Sequence, residues 1–589
     1  MSISFGKWVL GLDRGHLPGK DLIGAKAWSI GHMSRLGLNV PPAFVVTTDA
    51  CRGYLSDEAG LTGIQDEIAA GIAWLETLTG RTFGGGPHPL LVSVRSGAAI
   101  SMPGMMDTVL NVGINETTEP LLAREFNDTV FARDTHRRFL DAYSRLVLDA
   151  PPISVTEEEN PSGWREALAK AGAPVPDSAW EQLSATMRAV FLSWNSRRAQ
   201  RYRSHHGIPN DAGTAVVVQA MVFGNRDVKS GTGVLFSRNP LTGAPIPYGE
   251  FLPQAQGEDI VSGRATPQPL ESMREKLGTA LDQLLAAAQL LERANGDLQD
   301  IEFTVESGEL YLLQSRVGKR APEAAARIAV DMVAEGFISP GVALLRVSPE
   351  QIMSRLSPHL ANGTAVEGKV LCRGEAASPG VGWGVVVTDP DEAERRASVG
   401  ENVVLARVTT SPDDLHGMIA ARAIITECGG STSHAAVVSR ALGRPCVVGC
   451  GDGVVAMLRE RRVTVDGGSG AVYAGELPVA TPDEDDDPVL RRLVKWAAAA
   501  TPIKVQTDCE RATVSIDTDS LSISDLDDLR KALAESPPGA TVRGRLFARN
   551  SQAVAAAIEA GVSIIVTTPR LPALLAAIDA SDAFSEPRH

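Results

Sequence analysis

The chain has 589 residues, 44% of them hydrophobic, with a formal charge of −15 and a pI near 5.3; this is too long for one core, so three or four globular units are expected. The acidic balance argues against nucleic acid or an anionic membrane as a partner, because nothing offsets phosphate repulsion. Six scattered cysteines, a start without a basic segment followed by an apolar run, and no stretch approaching about 18 apolar residues read as a cytoplasmic protein that does not span a membrane.

Residues 1 to about 112 alternate short apolar runs with turns, as in residues 40–49 and 90–94, which is an α/β reading. From 113 to 210 the period becomes helical, for example from Thr129 to Tyr143, and predicts a helical insertion. Strand signals return at residues 214–222 and 231–237. No Gly-x-x-x-x-Gly-Lys-Ser/Thr occurs, which argues against a P-loop kinase, so any ATP site must use another fold.

Asp300-Ile-Glu-Phe-Thr-Val-Glu-Ser-Gly-Glu-Leu-Tyr-Leu-Leu-Gln-Ser-Arg316 reads as a β-hairpin around Ser307-Gly308. A two-residue turn would set Gln314 opposite Ile301, pointing away from Glu302. A three-residue turn, Glu306-Ser307-Gly308 with the glycine left-handed, would set Asp300 opposite Gln314 and gather Asp300, Glu302, Gln314 and Arg316 on one side. The second register is expected, because two carboxylates, an amide and a guanidinium on one surface suit Mg²⁺ on a triphosphate beside a charge clamp. The plainer alternative is a solvated hairpin face.

Residues 366 to 476 again alternate strand and helix signals. Within them, Gly429-Gly-Ser-Thr-Ser-His434-Ala-Ala-Val-Val-Ser-Arg440 sets a histidine after a glycine pair in the first turn of a helix. A neutral imidazole is a nucleophile near pH 7 and helix-start amides can hold a phosphate, so His434 is the candidate phosphoryl carrier; a capping turn with a structural histidine is the alternative. Cys428, His434, Cys446 and Cys450 offer zinc ligands, but Cys446 and Cys450 sit in an apolar run that reads as a buried strand. His416 reads as a surface loop residue. Residues 351–365 and the acidic 477–489 read as linkers with hinge character, and 490–589 as a small α/β unit.

The run around His434 resembles the phosphohistidine motif of the phosphoenolpyruvate-utilising enzymes. Leu91-Val-Ser-Val-Arg95-Ser-Gly-Ala-Ala-Ile-Ser-Met-Pro-Gly-Met-Met-Asp-Thr108 resembles the pyruvate, phosphate dikinase branch specifically. Gly24-Ala-Lys26-Ala, then Gly37-Leu-Asn-Val-Pro-Pro-Ala-Phe44, Arg95 and its loop, the 249–263 segment with Glu258, and the hairpin follow the order of that family's ATP-grasp domain. The resemblance implies an α/β multidomain chain: an ATP-grasp nucleotide-binding domain over 1–350 with the insertion at 113–210, and a swivelling phosphohistidine domain over 366–476. It implies ATP and Mg²⁺ as cofactors and inorganic phosphate as co-substrate. Lys26 and Arg95 would contact phosphates, and Asp300, Glu302 and Gln314 would hold metal and nucleotide. Arg316 would bind the transferred group, Glu258 would join the nucleotide-binding set, and His434 would be the nucleophile. Residues 101–108 would cover the phosphates, and Thr432 matches a position phosphorylated in plant members, its alternative being a helix-start hydroxyl.

One departure is visible: the family usually has Gly-Gly-Lys-Gly where this chain has Gly24-Ala25-Lys26-Ala27, and alanine removes left-handed freedom, so a shifted Lys26 is expected. About 100 residues follow position 488 against roughly 250 for a closed barrel. The expectation is a small α/β remnant in place of the family's full substrate barrel, with Cys509 too early to be its catalytic cysteine. A barrel-bearing partner would then supply the pyruvate site, and a homodimer is a further option. The resulting reading is an ATP-dependent dikinase-type phosphotransferase; the alternatives are a dikinase for another acceptor, such as an antibiotic or glucan, or a non-catalytic phosphocarrier.

Overall fold

A computed structural model describes residues 3–56, 63–100, 108–150, 160–261, 267–356, 359–360, 369–430, 433–480, 482–509, 514–521 and 526–581. The chain divides into two compact units, the first formed by residues 1–236, 249–291 and 299–317 and the second by the rest.

In the first unit, runs such as Ala43-Phe-Val-Val46 and Ala215-Val-Val-Val-Gln-Ala220 are apolar on both faces and are buried along their whole length, as strands covered on both sides must be. They join β1 (Val9–Gly11), β2 (Ala43–Val46), β3 (Val92–Gly97), β4 (Thr108–Val112) and β5 (Ala215–Ala220) into an antiparallel sheet of order β1-β2-β5-β3-β4. Helix α1 (Lys20–Arg35) connects β1 to β2. Between β4 and β5 the described residues form five helices from Thr118 to His206. Asp128, Asn160, Ser178 and Ser196 begin four of them by accepting a first-turn backbone N–H, the capping role these short polar side chains favour.

The second sheet has the order β8-β7-β6-β9-β10, built from β6 (Gly231–Phe236), β7 (Tyr248–Pro253), β8 (Gln268–Pro269), β9 (Gln299–Glu306) and β10 (Glu309–Val317). Ile301, Phe303, Val305, Leu310 and Leu312 form its core side and pack with Leu277, Leu281, Leu284 and Leu291 of α2 (Met273–Asn295).

The β9–β10 hairpin corrects the expected register. Its turn is the two-residue one: Glu306 pairs with Glu309, and Ser307 and Gly308 are both left-handed, at φ 50° and 88°. Glycine takes that conformation without strain, as foreseen for Gly308. The pairing then slips by one residue at Glu302/Phe303, where Leu313 is extra, so that Glu302 faces Gln314 and Asp300 faces Arg316. This bulge delivers the four side chains to one face by a route other than the expected three-residue turn.

In the second unit, β12 (Val370–Arg373), β13 (Glu375–Ser378), β14 (Val381–Val387), β15 (Val403–Arg407), β16 (Ala423–Thr426), β17 (Cys446–Val448), β18 (Arg462–Asp466) and β19 (Ala471–Ala474) form one sheet of order β12-β19-β18-β14-β15-β16-β17-β13. Strands β14 to β17 are parallel and the outer pairs antiparallel. β12 and β13 stand at opposite ends although Gly374 alone separates them, so the sheet curls until its ends meet. A Cβ on Gly374 would lie 2.3 Å from the Val448 carbonyl oxygen, which is why glycine closes the seam. Helices α3 (Leu415–Ala420) and α4 (His434–Leu442) belong to this curled unit.

Below it, β11 (His359–Leu360) and β20 (Val479–Ala480) pair antiparallel, so the two linkers form a short ribbon. The acidic stretch that follows is anchored where a hinge was expected. Glu484, 3% exposed, accepts the N–H groups of Arg570 and Leu571, and Asp487 caps α5 (Pro488–Ala500) while bonding Arg355. The remaining strands, β21 (Lys504–Gln506), β22 (Ile516–Asp517), β23 (Thr541–Arg543) and β24 (Ile564–Val566), make a parallel sheet of order β21-β24-β23-β22, with α6 (Leu571–Ala580) closing the described chain.

Candidate functional site

Helix α1 is interrupted at Gly24, whose φ of 77° and ψ of 157° only glycine adopts readily. There the helix presses against the end of β3: a Cβ on Gly24 would come within 2.0 Å of the Gly97 carbonyl oxygen, and the Ala25 N–H donates to Ala98 O at 2.9 Å. Lys26 therefore stands in the first turn after the break. Ala25 and Ala27 keep helical backbone, so the alanines at these positions are compatible with the turn, and the expected displacement of Lys26 has no backbone cause. The one position that requires glycine has it.

Around Lys26 the first unit assembles Arg95 from β3 and the bulged face of the hairpin. Arg95 Nη2 lies 3.3 Å from Glu302 Oε2, and its Nη1 reaches Gln219 Oε1 of β5 at 3.5 Å. Arg316 Nε donates to Asp300 Oδ2 at 2.8 Å. Among the described residues, Asp300 Oδ1 and Arg95 Nε are buried without a hydrogen-bond partner. Burial first, and then the neighbouring Arg95, lower the Lys26 ammonium to about 7, with Glu302 pulling the other way. Burial likewise raises the Asp300 carboxyl against the pull of Arg316. Three basic and two acidic side chains thus crowd together with unspent capacity, an arrangement that an anion accompanied by a cation would complete.

The donor set tests well against Mg²⁺. Asp300 and Glu302 supply carboxylate oxygens, Gln314 beside them supplies an amide oxygen, and the unpartnered Asp300 Oδ1 is a buried lone pair in need of a ligand. Glu258 stands apart from this set. It lies on a short helix, Gly257–Val261, and its charged neighbours are Arg138, Arg145, Asp141 and Asp259. The expected phosphate-covering segment, residues 101–107, lies outside the described residues; Thr108 pairs with Arg95 at the start of β4.

In the second unit His434 is the first residue of α4. Gly429, at φ 107°, turns the chain, Ser433 N–H bonds Gly430 O at 2.9 Å, and Ser433 Oγ accepts the Ala436 N–H. Thr410 Oγ1 meets His434 Nδ1 at 3.1 Å, and among the described residues nothing bonds Nε2, the other ring nitrogen. Thr410 opens a turn held by Asp414, whose Oδ2 accepts the Ser411 N–H and whose Oδ1 pairs with Arg407 at 3.2 Å. Thr432 lies outside the described residues.

The cysteines of the zinc alternative are split: Cys446 and Cys450 are buried and Cys428 is exposed. His416 is on α3 and bonds Asp391 at 2.9 Å, so it is helical where a loop was expected. Sequence reasoning missed Thr410, Gln219 and Gly97 as neighbours of the candidate residues. For Thr410 a signal existed, the turn-forming Thr-Ser-Pro-Asp-Asp run; for the other two, the contacts arise only from strand pairing and helix crossing.

Two family descriptions match the chain: "Pyruvate phosphate dikinase, AMP/ATP-binding domain" over residues 20–83 and 62–282, and "PEP-utilising enzyme, mobile domain" over 399–470. Among curated relatives, the chain is 39% identical over 543 residues to the pyruvate, phosphate dikinase of Clostridium symbiosum, covering 86% of this chain and 62% of that protein. It is 40% identical over 556 residues to that of Rhizobium meliloti (strain 1021), with the same coverage. Against the chloroplastic pyruvate, phosphate dikinase 1 of Zea mays it is 40% identical over 543 residues, covering 86% of this chain and 57% of the relative. The chain therefore spans less than two thirds of the length of these relatives.

Proposed function

The chain belongs to the pyruvate, phosphate dikinase family, and from that premise we propose that it transfers a phosphoryl group from ATP to His434. The carrying observation is the pairing of two separate arrangements: the cation-and-carboxylate cluster of Lys26, Arg95, Asp300, Glu302, Gln314 and Arg316, and a histidine whose Nδ1 is engaged and whose Nε2 is open. The first unit is read as an ATP-grasp domain and the curled unit as its swivelling carrier. The net reaction consumes ATP and inorganic phosphate and leaves AMP, pyrophosphate and phospho-His434: the γ-phosphoryl passes to phosphate and the β-phosphoryl to the imidazole.

Lys26 and Arg95 bind phosphate oxygens and offset their charge, and Arg316 orients the departing group from the opposite strand. Asp300, Glu302 and Gln314 would hold Mg²⁺, which when bound supplies neutralisation of the triphosphate. Thr410 holds the imidazole by Nδ1 so that Nε2 faces the phosphorus. The final acceptor is proposed to be pyruvate, as the relatives' names state for them, at a site distinct from both arrangements.

Incubation with Mg²⁺ and β-labelled ATP is expected to give an acid-labile, base-stable protein label that disappears in His434→Ala and falls sharply in Lys26→Ala. Label retained in His434→Ala would refute the assignment of the carrier. Absence of any label in the intact chain, with ATP still bound, would favour the non-catalytic phosphocarrier reading.

A further inference from the structure

The hydroxyl that meets His434 belongs to a turn held by a charge that the fold has taken out of water. Asp414, 3% exposed, ends the short turn Pro412–Asp414 that leads into α3. A carboxylate so deeply placed needs its charge met by the protein. Its Oδ2 accepts the Ser411 N–H at 2.8 Å and the Ser411 hydroxyl at 3.3 Å, while its Oδ1 lies 3.2 Å from Arg407 Nη2. Arg407, the last residue of β15, is fixed in turn: its Nη1 donates to Thr388 O, just past β14, at 3.1 Å. Its carbonyl also accepts the Glu427 N–H at 3.1 Å, at the base of the segment that leads through Gly429 and Gly430 to His434. Arg407 therefore braces both sides of the Thr410–His434 contact, the turn through its side chain and the histidine segment through its backbone.

We propose that Asp414 and Arg407 are positioning residues for phosphoryl transfer, an inference that rests on reading His434 as the carrier. Thr410 is buried and immediately precedes Ser411, so the Asp414 bond to the Ser411 N–H sets where the Thr410 hydroxyl stands. Its Oγ1 then meets Nδ1 at 3.1 Å and restrains rotation of the imidazole, which aims Nε2 along one line. Transfer is sensitive to that aim, since a reacting atom displaced by about an ångström loses on the order of a hundredfold in rate. Asp414 and Arg407 act through Thr410 and need no contact with the phosphoryl group. A pair that served the turn's stability alone would leave the chemistry of the folded chain untouched.

A double-mutant cycle on the full chain separates the two roles. Asp414→Asn keeps the shape of the side chain but sets an amide NH₂ against either Arg407 or the Ser411 N–H, so one of the two contacts is lost. Single-turnover labelling of His434 by β-labelled ATP should slow, by no more than the roughly fivefold expected of Thr410→Val, with ATP affinity unchanged. In the Thr410→Val background the same substitution should slow it no further. The nitrogen resonance of His434 Nδ1, read without ATP in protein carrying isotope-labelled histidine, should move in Asp414→Asn in the direction it moves in Thr410→Val, and no further in the double variant. Arg407→Met, at a half-buried position, gives the cycle a second arm should Asp414→Asn not fold, and Arg407→Lys should restore most of the rate. Rate losses that multiply across the two positions, or an Nδ1 resonance unmoved by Asp414→Asn and Arg407→Met, would overturn the proposal. A wild-type chain that never labels would refute the carrier assignment instead, and the resonance would still decide whether Asp414 and Arg407 position the ring.

Discussion

At the scale of the residue, Lys26 and Thr410 decide what the two arrangements can do. Lys26 is surrounded by Arg95 and Arg316 as well as Glu302, and burial with this company lowers its ammonium to about 7. In the free protein it is therefore largely neutral above that pH, whereas an arriving triphosphate restores its charge. Between about pH 7 and the ordinary lysine range, binding must then take up close to one proton, and affinity must weaken as pH rises. Calorimetry of ATP binding at pH 8 in buffers of different ionisation enthalpy should show this uptake, and Lys26→Arg should abolish it. Heats that do not depend on the buffer in the wild-type chain would count against a neutral Lys26. For Thr410, replacing the hydroxyl in Thr410→Val keeps the shape but frees His434 Nδ1. One hydrogen bond of about 1 kcal/mol corresponds to a roughly fivefold slower labelling of His434, and an unchanged rate would remove Thr410 from the positioning role.

At the scale of the element, backbone geometry ranks the residues differently from motif comparison. Gly24 is the position of the Gly24-Ala25-Lys26-Ala27 run that glycine alone can occupy, by its φ of 77° and by the 2.0 Å approach of a Cβ to Gly97 O. Gly24→Ala should cost at least about 1–3 kcal/mol of stability from backbone strain, before the clash is counted. Ala25→Gly or Ala27→Gly should cost about 1 kcal/mol as helix substitutions and bring no gain in labelling. Denaturant titration separates these outcomes, and a neutral Gly24→Ala would contradict the crossing described for α1 and β3. The hairpin teaches the complementary point. That Asp300, Glu302, Gln314 and Arg316 share a face was legible, because shared chemistry fixes the parity of residues between the strands. Where the extra residue sits was not. A residue added to the turn and a bulge at Leu313 give the same parity, and the choice depends on how β9 also pairs with β6, a tertiary fact that the alternation of one hairpin does not carry.

At the scale of the whole molecule, the motifs read from sequence lie on two different units. All six residues of the cation-and-carboxylate cluster belong to the first and His434 to the second. The elements carrying these motifs were legible because each has local signals: helical periodicity with capping residues, apolar strand runs, and a glycine pair before a histidine. The anchoring of the acidic stretch was not, since Glu484 meets Arg570 and Leu571 across 86 and 87 residues, and a charged run beside prolines looks the same whether solvated or docked. The division of the motifs has a consequence that activity alone would hide. If nucleotide binding resides wholly in one unit and the carrier in the other, a defect in either leaves the other's partial function intact. His434→Ala should bind Mg²⁺-ATP with the affinity of the wild-type chain while accepting no label. Lys26→Ala, or Asp300→Asn, should lose most of its ATP affinity while the chain remains folded, because these side chains contribute charge to a ligand more than packing to a core. Calorimetric titration of the three variants beside the wild type reads both terms at once. A large loss of ATP affinity in His434→Ala would mean that the imidazole takes part in binding the nucleotide in the ground state, and the separation of binding from transfer argued from the two units would fail.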